Sequence, residues 1–159
     1  DERFVPYSHP ESNYGIAFKK FFHQLNPENL HPIPILETVS GSLQQYEEEL
    51  KTHKVERLDW IWLGMGEDGH TASIFPGQDA MHANGKLVST QHPMTHQNRI
   101  GFTLDFINQA QNVSFIVLGE SKKEILSKVW HDNPMYPASL IQPKTENLYW
   151  YIDKLSDPR

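Results

Sequence analysis

Apolar residues recur along the chain with two different spacings, and segments of the two kinds alternate. Short apolar runs predict strands over 58–63, 99–104, 113–118 and 148–152. Apolar positions three and four residues apart predict helices over 12–25, 42–53 and 121–130, with shorter helical segments over 106–110 and 137–141. The run over 58–63 is apolar on both faces after Asp59, which is typical of a central strand in a parallel sheet.

Local signals predict where the helices begin and end. Ser12 or Asn13 is expected to cap the first helix, which stops at Asn26-Pro27, and Ser121 is expected to cap the helix over 121–130. Asp132-Asn133-Pro134 is expected to end that helix. Residues 29–37 and 78–97 show no clear period and are expected to be irregular connections. Strands alternating with helices indicate an α/β layer fold with a mostly parallel sheet, and no boundary divides residues 1–159 into two domains.

Composition narrows the classes of partner. The net charge of −6 argues against a nucleic-acid or anionic membrane partner, although a small anionic ligand needs only a few local cations. The absence of cysteine excludes disulfides and thiolate chemistry and is compatible with a reducing cytosol, so a cytoplasmic location is expected. No apolar run approaches the roughly 20 residues that span a bilayer.

A glycine-rich loop follows the first buried strand and carries the candidate chemistry. Gly64, Gly66 and Gly69 lie within six residues of one another. Asp68 directly precedes the last of these glycines, and His70 directly follows it. In open parallel sheets, ligands bind beyond the carboxyl ends of the strands, and glycine lets backbone N–H groups approach them closely. An unperturbed imidazole titrates near neutrality, so His70 is suited to take a proton from water. Asp68 is placed to orient the ring or to hold a substrate hydroxyl.

The loop fits neither of two known nucleotide-binding motifs. The glycines show the intervals of a dinucleotide-binding fingerprint, but a loop running to Pro76, with a helical turn expected from Thr71, replaces the required helix. No Lys-Ser/Thr follows that would complete a Walker motif. A glycine-rich turn with a surface histidine remains the plain structural alternative.

Five blocks of the sequence resemble one known family. LGMGEDGHTASIFPG resembles the signature of the 6-phosphogluconolactonases, L-G-x-G-x-D-G-H-T-A-S-L-F-P. DERFVPYSHPESNY and PASLIQPKTENLYWYID are similar to the family's first and last blocks, and RIGFTL and GESKKEIL match weaker blocks between them, in the family's order. The resemblance implies a three-layer, Rossmann-like open sheet with helices on both faces, as in sugar-phosphate isomerases.

The resemblance also implies an activity. The family hydrolyses 6-phospho-D-glucono-1,5-lactone to 6-phospho-D-gluconate in the oxidative pentose phosphate pathway. The resemblance implies that His70 is the general base that activates water and that the same ring then protonates the leaving ring oxygen. Backbone N–H groups of the glycine loop are expected to stabilise the oxyanion, with the individual donors left open, and Gly64, Gly66 and Gly69 are expected to contact the substrate. No metal or cofactor is expected, because a lactone is already an activated ester. The expected partner is the phosphorylated sugar lactone alone, bound by a monomer or weak homodimer.

The phosphate requires cations, and three are candidates. Arg3 matches the arginine of the family's D-E-R block, Lys122 follows a strand at the start of a helix, and Arg99 begins a strand. Each has the alternative of being an ordinary surface charge. Asp1 is expected to contact sugar hydroxyls, although a first residue is often poorly held.

The remaining histidines and aromatics receive structural interpretations. No H-E-x-x-H motif occurs, and Pro93 interrupts the pair His92 and His96, so no metal site is predicted. The aromatic clusters are expected to be core; they are Phe18, Phe21, Phe22, Trp60, Trp62, Trp130 and Trp150.

Two alternative functions stay open. A sugar-phosphate isomerase/deaminase shares the D-G-H element, but its motif places a carboxylate five residues after the histidine, where this chain has Phe75, and tyrosine at the position of Arg3. A non-catalytic sugar-phosphate sensor could dispense with His70. By resemblance, the family domain opens with an upstream segment carrying a Gly-Gly-Ser/Thr-Pro phosphate loop, which this sequence lacks, so the chain is expected to be the larger C-terminal part of the domain.

Overall fold

The computed structural model describes residues 1–131 and 133–159 and contains two three-stranded sheets. The strands are β1 (Glu2–Arg3), β2 (Trp60–Leu63), β3 (Leu87–Gln91), β4 (Asn98–Phe102), β5 (Asn112–Val117) and β6 (Leu148–Ile152). The α-helices are α1 (Asn13–Lys20), α2 (Val39–Thr52), α3 (Leu104–Ile107) and α4 (Lys123–Trp130). Short 3₁₀ turns lie at Phe22–Gln24, Pro27–Asn29, Asp79–His82, Glu120–Lys122 and Pro137–Leu140.

The predicted parallel sheet is present, with the strand order β2-β5-β6. One of its faces carries Leu63, Phe115 and Val117, which are buried beneath α3 and α4 in the main hydrophobic core. Phe115 stacks on Trp150 with ring centroids 4.1 Å apart. Because the strands are parallel, β2 and β5 end at the same edge, with Leu63 beside Phe115.

The other face of this sheet is exposed, which the sequence did not predict. Trp60 is 53% exposed and Trp62 is 71% exposed, and Tyr149 and Tyr151 of β6 share that face. The strand β2 lies at the edge of the sheet, so the expectation of a central strand with buried tryptophans was wrong. Trp130 and Trp150 do pack against the core as predicted.

The second sheet is antiparallel, with the order β1-β4-β3, and only β4 was predicted. Strand β1 has two residues, too few to show a period, and β3 lies in a segment whose polar residues hide its alternation. Leu87 and Ile100 of this sheet form a second core with Tyr46 and Leu50 of α2. This sheet places β1, at the beginning of the chain, beside β4, almost a hundred residues later.

Glu2 fixes the beginning of α1. Its buried carboxylate accepts hydrogen bonds from the backbone N–H groups of Asn13 and Tyr14, at 2.7 and 2.8 Å, and from the Ser12 hydroxyl at 2.9 Å. A negative charge there satisfies free N–H groups and complements the helix dipole. Ser12 is the cap, as predicted, since its hydroxyl accepts from the N–H of Gly15.

The first helix is shorter than predicted. It ends at Lys20 and passes into a 3₁₀ turn, because Phe21 leaves the helical conformation. Phe18 is 39% exposed and Phe21 is 56% exposed, so the expectation that this aromatic cluster is core was wrong. The rings contact one another instead, and Phe21 lies 5.7 Å from Phe22 between centroids.

Other boundaries differ by a few residues. Helix α2 begins at Val39 rather than 42, because Thr38 caps it through the N–H of Gly41. Helix α4 begins at Lys123 without a side-chain cap, so the predicted capping by Ser121 was wrong. The predicted stop at Asp132 lies outside the described residues. Within the described ranges, no helix has both the length and the apolar character needed to cross a membrane.

We predict that Leu126→Ala destabilises the fold by about 2–5 kcal/mol, because Leu126 is fully buried and its truncation leaves a cavity under the parallel sheet. The matched control is Leu155→Ala, whose side chain is 59% exposed and which should change stability by less than about 0.5 kcal/mol. Urea unfolding followed by fluorescence measures both values. Equal effects of the two substitutions would contradict the assigned core.

Candidate active site

The glycine loop leaves β2 at the carboxyl edge of the parallel sheet and closes on itself. The N–H of Gly66 donates to the carbonyl of His70 at 2.9 Å, and the N–H of Gly69 donates to the carbonyl of Gly66 at 3.1 Å. The Thr71 hydroxyl donates to the carbonyl of Gly64 at 2.8 Å. These bonds make the segment a rigid support for the side chains of Asp68 and His70.

Asp68 and His70 form the central contact of the site. The Nδ1 of His70 lies 2.6 Å from the Oδ1 of Asp68, and the same oxygen accepts the backbone N–H of His70 at 3.1 Å. An ionised carboxylate only accepts hydrogen bonds, so a neutral His70 must carry its proton on Nδ1. Its Nε2 is then free to accept a proton. The side chain is 29% exposed, which leaves it accessible from solvent.

Hydrogen bonding determines the ionisation of Asp68. Partial burial alone would raise the pKa of this carboxyl, but the hydrogen bonds from the backbone and ring of His70 and the charge of that ring lower it by more. The pKa of Asp68 therefore lies below its ordinary value. The carboxylate is charged at neutral pH and can accept the hydrogen bond from the His70 ring.

Two of the three glycines are required by close contacts. A Cβ on Gly66 would lie 2.1 Å from the Nδ1 of His70 and 2.4 Å from the Oδ1 of Asp68. Gly69 has a φ of +78°, and a Cβ there would lie 2.7 Å from the ring of Tyr136. A Cβ on Gly64 would meet no atom within 4 Å.

Stabilisation of an oxyanion by backbone N–H groups of the loop stays a prediction, and Gly66 and Gly69 offer no free N–H group in this conformation. Both N–H groups are already donated to carbonyls within the loop. Their contribution is steric instead, because the missing side chains make room for the Asp68–His70 contact and for Tyr136.

A tight turn, rather than the expected helical turn, follows His70. Thr71 and Ile74 pair as an isolated antiparallel bridge, and Ala72 and Ser73 between them have φ values of 50° and 60°. Positive φ at both central positions defines a type I′ turn. The Ser73 hydroxyl donates to the carboxylate of Asp1 at 2.5 Å. Asp1 is thus held in place, contrary to the expectation for a first residue.

Phe75 connects the loop to two further polar side chains. Its ring is 1% exposed and lies 4.6 Å from the ring of His70 and 5.1 Å from that of His92, between centroids. The guanidinium carbon of Arg99 lies 5.9 Å from the centroid of the same ring. The buried Phe75 ring is therefore a common packing surface for the three polar groups.

Arg3 and Arg99 are brought together by the pairing of β1 with β4, in which they are direct partners. The Nη1 of Arg3 donates to the side chain of Asn13 at 2.6 Å and to the carbonyl of Glu11 at 2.8 Å. Arg99 is 9% exposed, and its Nε has no hydrogen-bond partner among the described residues. Burial lowers the pKa of Arg99, and the charge of Arg3 lowers it further.

Like charges placed side by side, one of them with a buried unpaired donor, are what an anion site requires. Two of the three predicted cations therefore meet. Lys122 lies in the 3₁₀ turn after β5, at the same carboxyl edge, but no hydrogen bond or ion pair between described residues joins it to Arg3, Arg99 or His70.

His92 belongs to this site, and the sequence analysis missed it. Its Nδ1 accepts the backbone N–H groups of Met94 and Thr95, both at 3.2 Å, so the neutral ring carries its proton on Nε2. Desolvation lowers the pKa of His92, and the charge of Arg99 lowers it further. The spacing of His92 and His96 bears only on metal binding. His92 reaches the site because it lies in the chain reversal between the antiparallel strands β3 and β4.

Across the described ranges, no third ligand joins Asp68 and His70 to form a cluster that could hold a metal ion. The arrangement instead offers an imidazole held by a carboxylate and, near the same Phe75 ring, the guanidinium of Arg99, which is paired in register with Arg3. Chemically, this can remove a proton from water beside a bound anion.

Comparison with known proteins agrees with these features. The family model described as "Glucosamine-6-phosphate isomerases/6-phosphogluconolactonase" matches residues 1–150. A 6-phosphogluconolactonase of Haemophilus influenzae is 41% identical, over 97% of this chain and 69% of its own length. One from Synechocystis is 39% identical, over 97% of this chain and 68% of its own length. The crystal structure of a 6-phosphogluconolactonase from Thermotoga maritima superposes with a TM-score of 0.86 at 26% identity, covering 96% of this chain and 70% of that one.

These comparisons confirm the predicted resemblance and the predicted α/β fold class. The chain spans about two thirds of the length of the relatives that it matches.

We predict that Gly66→Ala abolishes the hydrogen bond between Asp68 and His70, because the new methyl group would occupy the space of their contact atoms. Gly64→Ala, two residues earlier, is the matched control, since its Cβ meets open space. Proton NMR of the ring N–H reports the bond, and we expect its downfield Nδ1–H signal to vanish in the first variant and persist in the second. Persistence in both would show that the loop is not sterically constrained at Gly66.

Proposed function

The chain belongs to the family of glucosamine-6-phosphate isomerases and 6-phosphogluconolactonases, and from this premise we propose that it hydrolyses 6-phospho-D-glucono-1,5-lactone to 6-phospho-D-gluconate. This reaction is a step of the oxidative pentose phosphate pathway. The observation that carries the proposal is the 2.6 Å contact between His70 and Asp68 beside the Arg3–Arg99 pair. The curated relatives at 39–41% identity bear the name of this activity.

His70 acts as the general base. Asp68 holds the Nδ1 proton, so the unprotonated Nε2 takes a proton from water as the water oxygen attacks the lactone carbonyl carbon. The charge of Asp68 stabilises the imidazolium that forms. The attack yields a tetrahedral oxyanion, and the proton remains on Nε2 for the next step.

The same imidazolium acts as the acid in the second step. As the tetrahedral intermediate collapses, the bond between the carbonyl carbon and the ring oxygen breaks, and Nε2 returns its proton to that oxygen. The ring opens to an acid and a hydroxyl, and His70 is neutral again. A positioned base of this kind typically contributes ~10²–10⁴ in rate.

Arg3 and Arg99 bind the phosphate. The fork of a guanidinium matches the oxygens of a phosphate, and a dianion between the two arginines offsets their mutual repulsion. In the bound state the Nε of Arg99 gains a hydrogen-bond acceptor, which favours binding of a ligand that supplies one. Asp1, held by Ser73, is placed to accept a sugar hydroxyl, and Lys122 remains a candidate for a second phosphate contact from the edge of the sheet.

The isomerase/deaminase alternative is disfavoured by Phe75. The deaminase motif supplies a carboxylate five residues after the histidine, whereas here that position is a buried phenyl ring 4.6 Å from His70. An apolar ring cannot exchange a proton with a sugar ring oxygen. The sensor alternative is disfavoured by the Asp68–His70 contact, which binding alone does not require.

Two further features belong to this proposal. We place the enzyme in the cytoplasm, where its phosphorylated substrate is expected and where a chain without cysteine needs no oxidising environment. We also propose that it works as a monomer or weak homodimer, because the groups assigned to catalysis and phosphate binding all come from one chain.

We predict that His70→Ala lowers the enzyme-catalysed rate by about 10²–10⁴-fold, because the attacking water loses its base. Loss of 6-phosphogluconolactone is followed in the full-length protein, after subtraction of spontaneous hydrolysis. His82→Ala, at an exposed histidine in the 3₁₀ turn Asp79–His82, is the control and should leave the rate unchanged. A His70→Ala protein that keeps most of the catalysed rate would remove His70 from the role of base.

We predict that Arg3→Ala raises KM for the phosphorylated lactone at least about tenfold and changes KM for unphosphorylated gluconolactone little. The reason is that the lost guanidinium contacts only the phosphate of the substrate. Arg57→Ala, at an exposed arginine, is the matched control and should affect neither KM. Steady-state kinetics with the two lactones separates the outcomes. Equal effects of Arg3→Ala on both substrates would show that Arg3 does not bind phosphate.

A further inference from the structure

A second cluster of ligating side chains lies outside the proposed active site. It consists of His31, Glu49 and His53, and one ligand atom from each lies within 4.8 Å of the other two. The Nδ1 of His31 is 2.7 Å from the Oε1 of Glu49, and the rings of His31 and His53 lie 4.6 Å apart between centroids. None of these three side chains has a role in the proposed lactone hydrolysis.

Two of the ligands are held by helical spacing. Glu49 and His53 are four residues apart at the end of α2, and the backbone N–H of His53 still donates to the carbonyl of Glu49 at 3.0 Å. Positions i and i+4 of a helix lie on one face, so the two side chains project together. This is the spacing that places two ligands on one ion in helical metal sites.

The third ligand comes from the irregular segment before α2 and is held by its own contact. The Tyr46 hydroxyl donates to the backbone carbonyl of His31 at 3.2 Å, which ties the segment to the middle of α2. His31 is therefore positioned by the backbone and not only by its contact with Glu49.

The cluster lines the mouth of a cavity of about 340 Å³ whose apolar wall includes Leu50 and Phe102. His31 and His53 are exposed and Glu49 is half-buried, so an ion can reach the three ligands and keep a further coordination position for water. Phe102 ends β4, whereas Arg99 of the proposed phosphate site lies near the other end of that strand. No hydrogen bond or ion pair between described residues joins the cluster to Asp68 or His70.

We propose that His31, Glu49 and His53 bind one divalent transition-metal ion of the zinc class, which clamps the segment before α2 onto that helix. Two imidazoles and one carboxylate suit Zn²⁺ rather than Mg²⁺ or Ca²⁺, which prefer oxygen ligands. For an ion to lie about 2 Å from each ligand, the 2.7 Å contact between His31 and Glu49 has to lengthen, and ligand atoms as far as 4.8 Å apart have to approach. This replaces the expectation, drawn from sequence, that no metal site exists.

The experiment uses Zn²⁺ alone as the probe, with the purified metal-free protein. Isothermal titration should show one tight site per chain, and Co²⁺ in its place should give visible d–d absorption from a low-coordinate nitrogen and oxygen site. We expect His53→Ala and His31→Ala each to weaken Zn²⁺ binding at least about tenfold. The matched control is His82→Ala, an exposed histidine elsewhere, which should bind as the unaltered protein does.

A stability measurement keeps the test independent of the enzyme activity. Zn²⁺ should raise the thermal midpoint of the unaltered protein and of His82→Ala, and should leave that of His53→Ala unchanged. A Glu49→Gln variant, which keeps its size but loses its charge, should bind Zn²⁺ more weakly than the unaltered protein. No saturable binding, or binding that His31→Ala and His53→Ala leave intact, would overturn the proposal. Either result leaves the proposed lactonase activity untouched.

Discussion

The hydrogen bond between Asp68 and His70 is the constraint on which the rest of the site depends. It sets the tautomer of the imidazole, and through that the availability of Nε2. The bond exists only because Gly66 has no side chain, since a Cβ at that position would overlap both contact atoms. The entropy that this glycine loses on ordering is offset by the hydrogen bonds that close the loop. Gly66 therefore makes space for the contact between Asp68 and His70.

The charges of the site are arranged by a second constraint, the pairing of β1 with β4. Two arginines in direct register repel each other, and burial lowers the pKa of Arg99 before the charge of Arg3 adds to the effect. Such an arrangement is unfavourable without an anion and favourable with one. Phe75 packs against both regions, because its buried ring lies 4.6 Å from the ring of His70 and 5.9 Å from the guanidinium carbon of Arg99.

Strand β4 links the two regions of interest. Its first half carries Arg99, and its last residue, Phe102, packs toward α2 and the cavity beside His31 and His53. A clamp between α2 and the segment before it would thus stabilise the sheet that positions the arginines, without contact with the reacting atoms. The two regions differ in chemistry as well, because one places a pair of arginines near the Asp68–His70 contact, and the other groups two imidazoles with a carboxylate, with no lysine or arginine among the described residues that line its cavity.

The sequence by itself determined the features that are encoded locally. The three strands of the parallel sheet, the cap at Ser12 and the Asp68–His70 pair all arise from residues within a few positions of one another, and each leaves a readable pattern. Tertiary structure alone decided the rest. The Arg3–Arg99 contact depends on a strand of two residues, and the grouping of His31 with Glu49 and His53 depends on a loop folding back over α2.

Tertiary structure also decided which apolar side chains are buried. The tryptophans of β2 have the pattern of a buried strand, yet they are exposed in this chain, which spans about two thirds of its relatives' length and in which no described element lies over that face of the sheet. The physical reason is the separation along the chain over which each effect acts. Periodicity and capping act between neighbours in the chain, whereas burial and long-range charge pairing depend on which distant surfaces meet.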